Sequence, residues 1–438
     1  MSWHTDAIRP RGVQPSHRWR HVGVALLIGL ALVAAACGTS MGEGSHPNPT
    51  PTSKPTATPT PVPCASWRLV SSPGGGKYPA SILSAVSALS PSTAWAVGAN
   101  YGEGGTVGPV VSLIEQWDGT AWKVVANPGP DFLDGVTALS ATDVWGVGQQ
   151  FDYGVHLYKT LTMHWDGAQW SVVPSANPSS VGSILNAVAA ISANDVWAVG
   201  QQQGNPDQIP QPLVERWDGT SWHLVGNLPL PPSAAPTNGG SLVAVTHIPG
   251  THQLWAVGEW HAWTNLGQGQ PLIERWDGSS WQVVPSPSLP NGALGGGWSG
   301  VVALSATNAW AVGSYALKNP IDSHPLIAHW DGTHWQNVVA SPDTYGELNS
   351  VAAAGANDVR AAGSQLTGPG ASSGNGQRVP LVEQWNGTTW QIVTTPRPPS
   401  GLLSGSLSMA TDGAGNYWAV GSYLNAEHVS QTLTLHCP

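Results

Sequence analysis

Residues 212–225 read PLVERWDGTSWHLV: an apolar run closing on Trp217, the pair Asp218-Gly219, and a second apolar run opening on Trp222. Apolar and polar residues alternate on both sides of the Asp-Gly pair, which supplies the positive φ that a tight hairpin needs. The stretch therefore reads as two short antiparallel strands and a turn. The same hairpin recurs as SLIEQWDGTAWKVV (112–125), TLTMHWDGAQWSVV (160–173), PLIERWDGSSWQVV (271–284), PLIAHWDGTHWQNV (325–338) and PLVEQWNGTTWQIV (380–393). In every copy four residues separate the two tryptophans, so Asp118, Asp166, Asp218, Asp277 and Asp331 read as turn residues before they read as metal ligands.

Ahead of each hairpin lies a second repeated segment: ILSAVSALSPSTAWAVG (82–98), FLDGVTALSATDVWGVG (132–148), ILNAVAAISANDVWAVG (184–200), SLVAVTHIPGTHQLWAVG (241–258), WSGVVALSATNAWAVG (298–313) and ELNSVAAAGANDVRAAG (347–363). A stretched seventh copy, LLSGSLSMATDGAGNYWAVG, spans 402–421. Each copy thus carries four strands, A to D, and a repeat of about 50 residues with four strands is the signature of a propeller blade. The fold expected is all-β, a seven-bladed β-propeller of four-stranded blades.

The seventh copy ends at QTLTLHCP, inside its strand C, while CASWRLV (64–70) matches the tail of the hairpin. The N-terminal strand is therefore expected to complete the last blade, which removes the open sheet edge. Closure places Cys437 at the first Trp position of that hairpin and Cys64 at its Gly position, so a Cys64–Cys437 disulfide is expected in an oxidising compartment. Nineteen of the 24 tryptophans fall at three repeat positions, as packing between neighbouring blades requires. Arg360 stands where strand B elsewhere has Trp; it reads either as a drifted blade position or as a polar contact with something outside.

Composition agrees with an all-β chain. Charged residues are 9% of the 438, against 53 Gly and 38 Pro, a balance suited to short strands and turns. The net charge is −10, and without residues 1–36 the balance is 11 basic against 24 acidic side chains. With no basic stripe, nucleic acid is excluded as a partner.

Residues 1–21 carry Arg and His, 22–36 (VGVALLIGLALVAAA) are an apolar run too short to span a bilayer, and Cys37 follows at once. This is the layout of a secretion signal. The stretch resembles a bacterial lipoprotein lipobox, which implies lipidation of Cys37; an ordinary signal with an unmodified cysteine is the other reading. Residues 38–63 are rich in Gly, Ser, Thr and Pro and read as a stalk. The expected organisation is a signal peptide at 1–36, a lipidated Cys and Pro/Thr-rich tether at 37–63, and a propeller at 64–438. It implies an exported monomer facing the cell exterior or envelope, held to the membrane through its lipid alone.

The order "apolar strand ending in Gly, then L-V-E-x-W-D-G, then W-x-x-V" resembles the kelch repeat across residues 64–438. One Gly follows strand B here where kelch repeats have two. Galactose oxidases are similar kelch-type propellers, and that resemblance implies a copper site using a cysteine crosslinked to tyrosine; no cysteine remains for it. The D-G-x-x-W hairpin is also similar to the sialidase Asp-box, one residue shorter. Neither a cofactor nor a metal is expected.

In such a ring the A–B and C–D turns lie on one face and the longer, irregular B–C and D–A connections on the other, and variable loops on a rigid frame carry function. That second face is the expected binding face for a glycan or a protein. Its candidate ligand-binding residues, off the repeat positions, are Tyr101, Tyr153, Trp260, His261, Trp263, Tyr315 and Tyr423, with Phe151 beside them. The channel mouth is expected to present Ser84, Asp134, Asn186, Val243, Ser299, Asn349 and Ser404. Asp134, with Asp131 and Glu347 near it, are the candidate acids for the alternative, a secreted glycosidase or lyase, which needs two carboxylates. With no GxSxG, HExxH or phosphate loop, the sequence weighs toward binding or scaffolding rather than catalysis.

Overall fold

The computed structural model describes residue 64 and residues 66–438, except 76–77, 103–109, 130, 179–181, 204–209, 227, 232–238, 262–268, 318–321, 342–343, 370, 372–375 and 400. The signal and tether expected at 1–63, with the lipidation expected at Cys37, lie outside the described residues.

Blade 3 shows how the repeat folds. Strand A (Ser183–Ser192), B (Asp195–Gln202), C (Gln211–Trp217) and D (Trp222–Leu224) pair in sequence order, all antiparallel. Trp217 lies opposite Trp222 across the C–D hairpin. Asp218 Oδ1 closes the turn by accepting hydrogen bonds from the Thr220 and Ser221 backbone N–H groups at 2.8 and 2.9 Å. Gly219 has φ +97°, where a side chain would be strained and a Cβ would also press on Asn194. The same turn recurs at Asp118, Asp166, Asp277, Asp331 and Asn386.

Seven such sheets follow one another round a ring, each touching the next, and the last touches the first: a seven-bladed β-propeller with no α-helix among the described residues. Blade 7 consists of strands A (Ser408–Thr411), B (Tyr417–Leu424) and C (Ser430–Cys437), completed by the N-terminal strand D (Arg68–Val70) in the register Arg68↔His436, Leu69↔Leu435, Val70↔Thr434. The expected bridge is present: Cys64 and Cys437 form a disulfide with Cα atoms 5.4 Å apart.

Between blades, the strand-B tryptophan of one blade wedges against the C and D tryptophans of the next. Trp197 of blade 3 sits 4.8 Å from Trp276 and 5.9 Å from Trp281, and Trp95, Trp145, Trp255, Trp310 and Trp418 repeat the arrangement. These rings are almost wholly buried, so each joint gains both area burial and edge-to-face ring contacts.

The seventh joint, from blade 6 to blade 7, is different: Arg360 fills the drifted strand-B position, and the reading of it as a contact with something outside is corrected. The side chain is fully buried and faces neither solvent nor an outside partner. Its Nη1 lies 2.7 Å from Cys64 Sγ, its Nη2 donates to the Cys64 carbonyl at 3.3 Å, and its Nε donates to Asp358 at 3.2 Å. The guanidinium stacks 4.4 Å from the Tyr417 ring centre. Cys437 replaces a tryptophan, and the space it frees admits the guanidinium and Tyr417.

Strand C also carries buried glutamates, which sequence reading passed over as strand residues. Glu115, Glu215 and Glu383 are fully buried and receive hydrogen bonds from the connection that enters their blade: Glu115 from Ser72 Oγ and Gly74 N, Glu215 from Ser175 Oγ, Glu383 from Ser341 N. They strap each D–A connection to the following blade. Glu274 occupies the same place with neither oxygen paired, and burial pushes its carboxyl up to about 8.

Candidate functional site

Six A strands carry a β-bulge at one place, after Leu83, Leu133, Leu185, Leu242, Trp298 and Leu348. The extra residues are Ser84, Asp134, Asn186, Val243, Ser299 and Asn349. A bulge leaves one residue out of the ladder and re-aims its side chain. All six line a central cavity of about 540 Å3, as the spacing predicts. Blade 7 departs from the expectation. Its strand A starts only at Ser408 and pairs without a bulge, so Ser406–Met409 line the cavity. Ser404 instead bonds Ser422 Oγ at 2.9 Å, because the residues that stretch this repeat are taken up ahead of the strand.

Asp134 is the acid aimed into the cavity from the bulges. Its Oδ2 is enclosed without a hydrogen-bond partner, and burial raises the carboxyl to about 7. Asn349 Oδ1 is likewise enclosed and unpaired, whereas Asn186 donates to the Leu242 carbonyl at 2.8 Å.

A second carboxylate in the wall, Glu259, comes from the end of strand B in blade 4 and was not singled out from sequence. Its side chain passes over two glycines: a Cβ on Gly297 would stand 3.1 Å from the Glu259 Cβ, and one on Gly269 would collide with its carboxylate. His261 Nε2 holds Glu259 Oε1 at 3.2 Å, and the carboxylate raises the imidazole in return. The sequence did contain a signal for this: an acid after the strand-B glycine where other blades have Ala, Gln or Ser, facing the only Gly-Gly-Gly run to open a strand A.

The other two candidate acids are engaged elsewhere. Asp131, at φ +66°, accepts the Phe151 N–H at 2.6 Å and so fixes the entry to blade 2. Glu347 accepts Arg378 Nη1 at 2.6 Å. Neither lines the cavity.

The aromatic candidates do not form one cluster. Trp260 is half-buried against the core between blades 3 and 4, and Tyr423 against that of the closing blade. Tyr101 is half-buried at the end of strand B in blade 1. Tyr153 is 65% exposed and rests edge-on against Phe151 at 5.0 Å. Tyr315 stacks on His324 at 5.4 Å in a separate pocket of about 280 Å3. Trp263 lies outside the described residues. Among the described residues no group of three or more His, Cys, Asp or Glu is placed to hold a metal.

Fold and site together define a seven-bladed β-propeller with a polar, acid-bearing central cavity. No protein-family model matches the chain, and no curated protein does. Solved structures resemble it in fold at low identity. YCF48 bound to a D1 peptide aligns with TM-score 0.48 and 14% identity, over 87% of this chain and 99% of its own. The Aleuria aurantia lectin in complex with alpha-methyl-L-fucoside gives 0.42 and 14%, over 74% and 97%. A polysaccharide lyase, an ulvan lyase, gives 0.49 and 9%, over 78% and 89%.

Proposed function

We propose that this protein is a binding module, displayed outside the cell on a lipidated stalk at Cys37, that takes a glycan or protein ligand on the face formed by its B–C and D–A connections. One observation carries the reading: the bulges turn a set of mostly uncharged polar side chains toward a single cavity whose lining also takes in Glu259 and Ser314, from the later part of strands B. Convergent polar groups in a preformed cavity are what recognition needs. The repeat's kinship to kelch propellers belongs to the same proposal. A glycan and protein array on the exported chain, read for both capture and product release, tests it. Capture without turnover is expected; silence on every probe overturns it. Cys37→Ser should release the protein from the membrane fraction of its native host.

A second reading, a polysaccharide-cleaving enzyme, is favoured by Asp134 and Glu259 lining one cavity, with Asp134 half-protonated near pH 7 and so fit to donate a proton. Product release that disappears in Asp134→Asn would establish it.

A further inference from the structure

The cavity has an electrostatic character that its polar lining alone does not require. Among its lining residues Asp134 and Glu259 are the ionisable groups, and no Lys, Arg or His stands with them. The rest are Ser, Asn, Gly and apolar residues. Asp134 therefore loses water on one side and gains no counter-charge on the other, which is why its carboxyl resists ionisation. The enclosed atoms lacking partners in the lining of this cavity, Asp134 Oδ2 and Asn349 Oδ1, are both oxygens. What Asp134 lacks is a partner of positive charge.

We infer that this cavity receives the ε-ammonium group of a lysine side chain on a protein or peptide ligand, with Asp134 and Glu259 as its counter-charges. The inference rests on the binding reading above and narrows it. An anionic ligand is repelled by two acids and by a chain of net charge −10. A neutral hydroxyl supplies a donor but leaves Asp134 uncompensated. Lysine supplies both, and with an ordinary pKa of about 10.4 it stays charged throughout the neutral range. His261, on the far side of Glu259, competes for that carboxylate while protonated and releases it as pH rises.

The two kinds of ligand give opposite pH dependence. An ammonium beside Asp134 favours the ionised acid, so binding expels a proton and tightens as pH rises through about 7. A neutral sugar held by the protonated acid binds more weakly over the same interval. The release of His261 acts in the same direction as the first case, and Asp134→Asn separates the two contributions.

The test uses the full chain and an end-capped Gly/Ser peptide with one central lysine, titrated from about pH 5.5 to 8.5 and followed by NMR shifts of the protein. Affinity should rise about thirtyfold across that range, as the ionised fraction of a group near 7 does. The Nε-acetyl-lysine peptide should bind at least about tenfold more weakly, and Asp134→Asn should flatten the profile while keeping a melting temperature no lower than the parent's, since it removes a carboxyl that burial disfavours when ionised. Equal binding of the acetylated peptide, affinity that falls with pH, or an Asp134→Asn variant that binds the lysine peptide as well as the parent would each overturn the inference. The last outcome would mean general attraction to an acidic surface. Capture of a glucosamine oligomer or a neutral glycan with no response to the lysine peptide also overturns it, and leaves the binding reading standing.

Discussion

Six joints of the ring and the seventh solve one problem with different chemistry. At six, a strand-B tryptophan fills the gap between the two tryptophans of the next blade, with ring centres about 5 to 6 Å apart. At the seventh, a buried guanidinium, a disulfide and Tyr417 fill the corresponding space. Five of the six join blades consecutive in the chain, and the Trp418 joint closes blade 7 on blade 1, whose strand A follows directly on the N-terminal strand D. The seventh packs blade 6 on the blade that is built from both ends of the described chain, whose strand D is three residues long and pairs with Ser430–Cys437. A covalent bond replaces size with connectivity, and once Cys437 is small, a charged side chain fits where tryptophan fits elsewhere.

The largest expected effect tests that distinction directly. Cys437→Ser opens a bridge between residues 373 apart in sequence, which the chain-entropy account values at about 5 to 6 kcal/mol. Thermal unfolding of the variant should match that of the reduced parent; an unchanged midpoint would mean that pairing of Arg68–Val70 alone closes the ring. Next, Trp197→Ala should cost about 3 to 5 kcal/mol in denaturant unfolding, the usual range for emptying a buried tryptophan site. Arg360→Met, with the bridge intact, should cost less, about 1 to 3 kcal/mol, since it leaves the Cys64 carbonyl and Asp358 short of a donor. If Arg360→Met costs more than Trp197→Ala, the guanidinium and not the disulfide organises the joint.

A fourth expectation sharpens the comparison among the remaining joints through the strand-C glutamates. Glu115 and Glu274 have folded-state values of about 6 and about 8, above the ordinary 4.5. Folding therefore retains protons that the unfolded chain gives up, and this contribution is complete below about 4.5 and lost as pH rises through 6 and then 8. The melting temperature should fall over that range. Glu274→Met, which copies Met163 at the equivalent place in blade 2, should shrink the fall and remove its part between about 7 and 8, leaving the part below 7 to which Glu115 and Asp134 contribute. A parallel decline in parent and variant would show that Glu274 does not titrate there. The smallest effect belongs to the loop face: Tyr153→Ala should stay within about 0.5 kcal/mol of the parent, because that ring is exposed.

Much of this architecture is legible in sequence because each element repeats with its reason attached. The Asp-Gly between paired tryptophans dictates the hairpin, and seven copies dictate the ring. The displaced CASWRLV segment and the spare cysteines dictate where it closes. The bulged residues were legible too, since all but Val243, whose blade has a longer A–B turn, stand at the same offset before strand B. What escaped was whatever depends on two blades at once. Glu259 enters the cavity only because Gly297 of the next blade has no side chain, and Arg360 is explained only by what replaced a tryptophan 77 residues later. The aromatic candidates were chosen by distance from the repeat positions, and Trp260 and Tyr423 proved to end their strands packed against core.

The position of Cys64 gives the closure a mechanical meaning. It precedes strand D of blade 7, so a pull applied through the chain N-terminal to it reaches the sulfur before it reaches Arg68–Val70. Three residues of edge pairing peel one hydrogen bond at a time and resist little. With the bridge in place the load passes across to Cys437, at the end of a strand held along its whole length by strand B. A molecule tethered in moving fluid would then transmit drag to the body of its last blade, and its weakest strand would carry none of it.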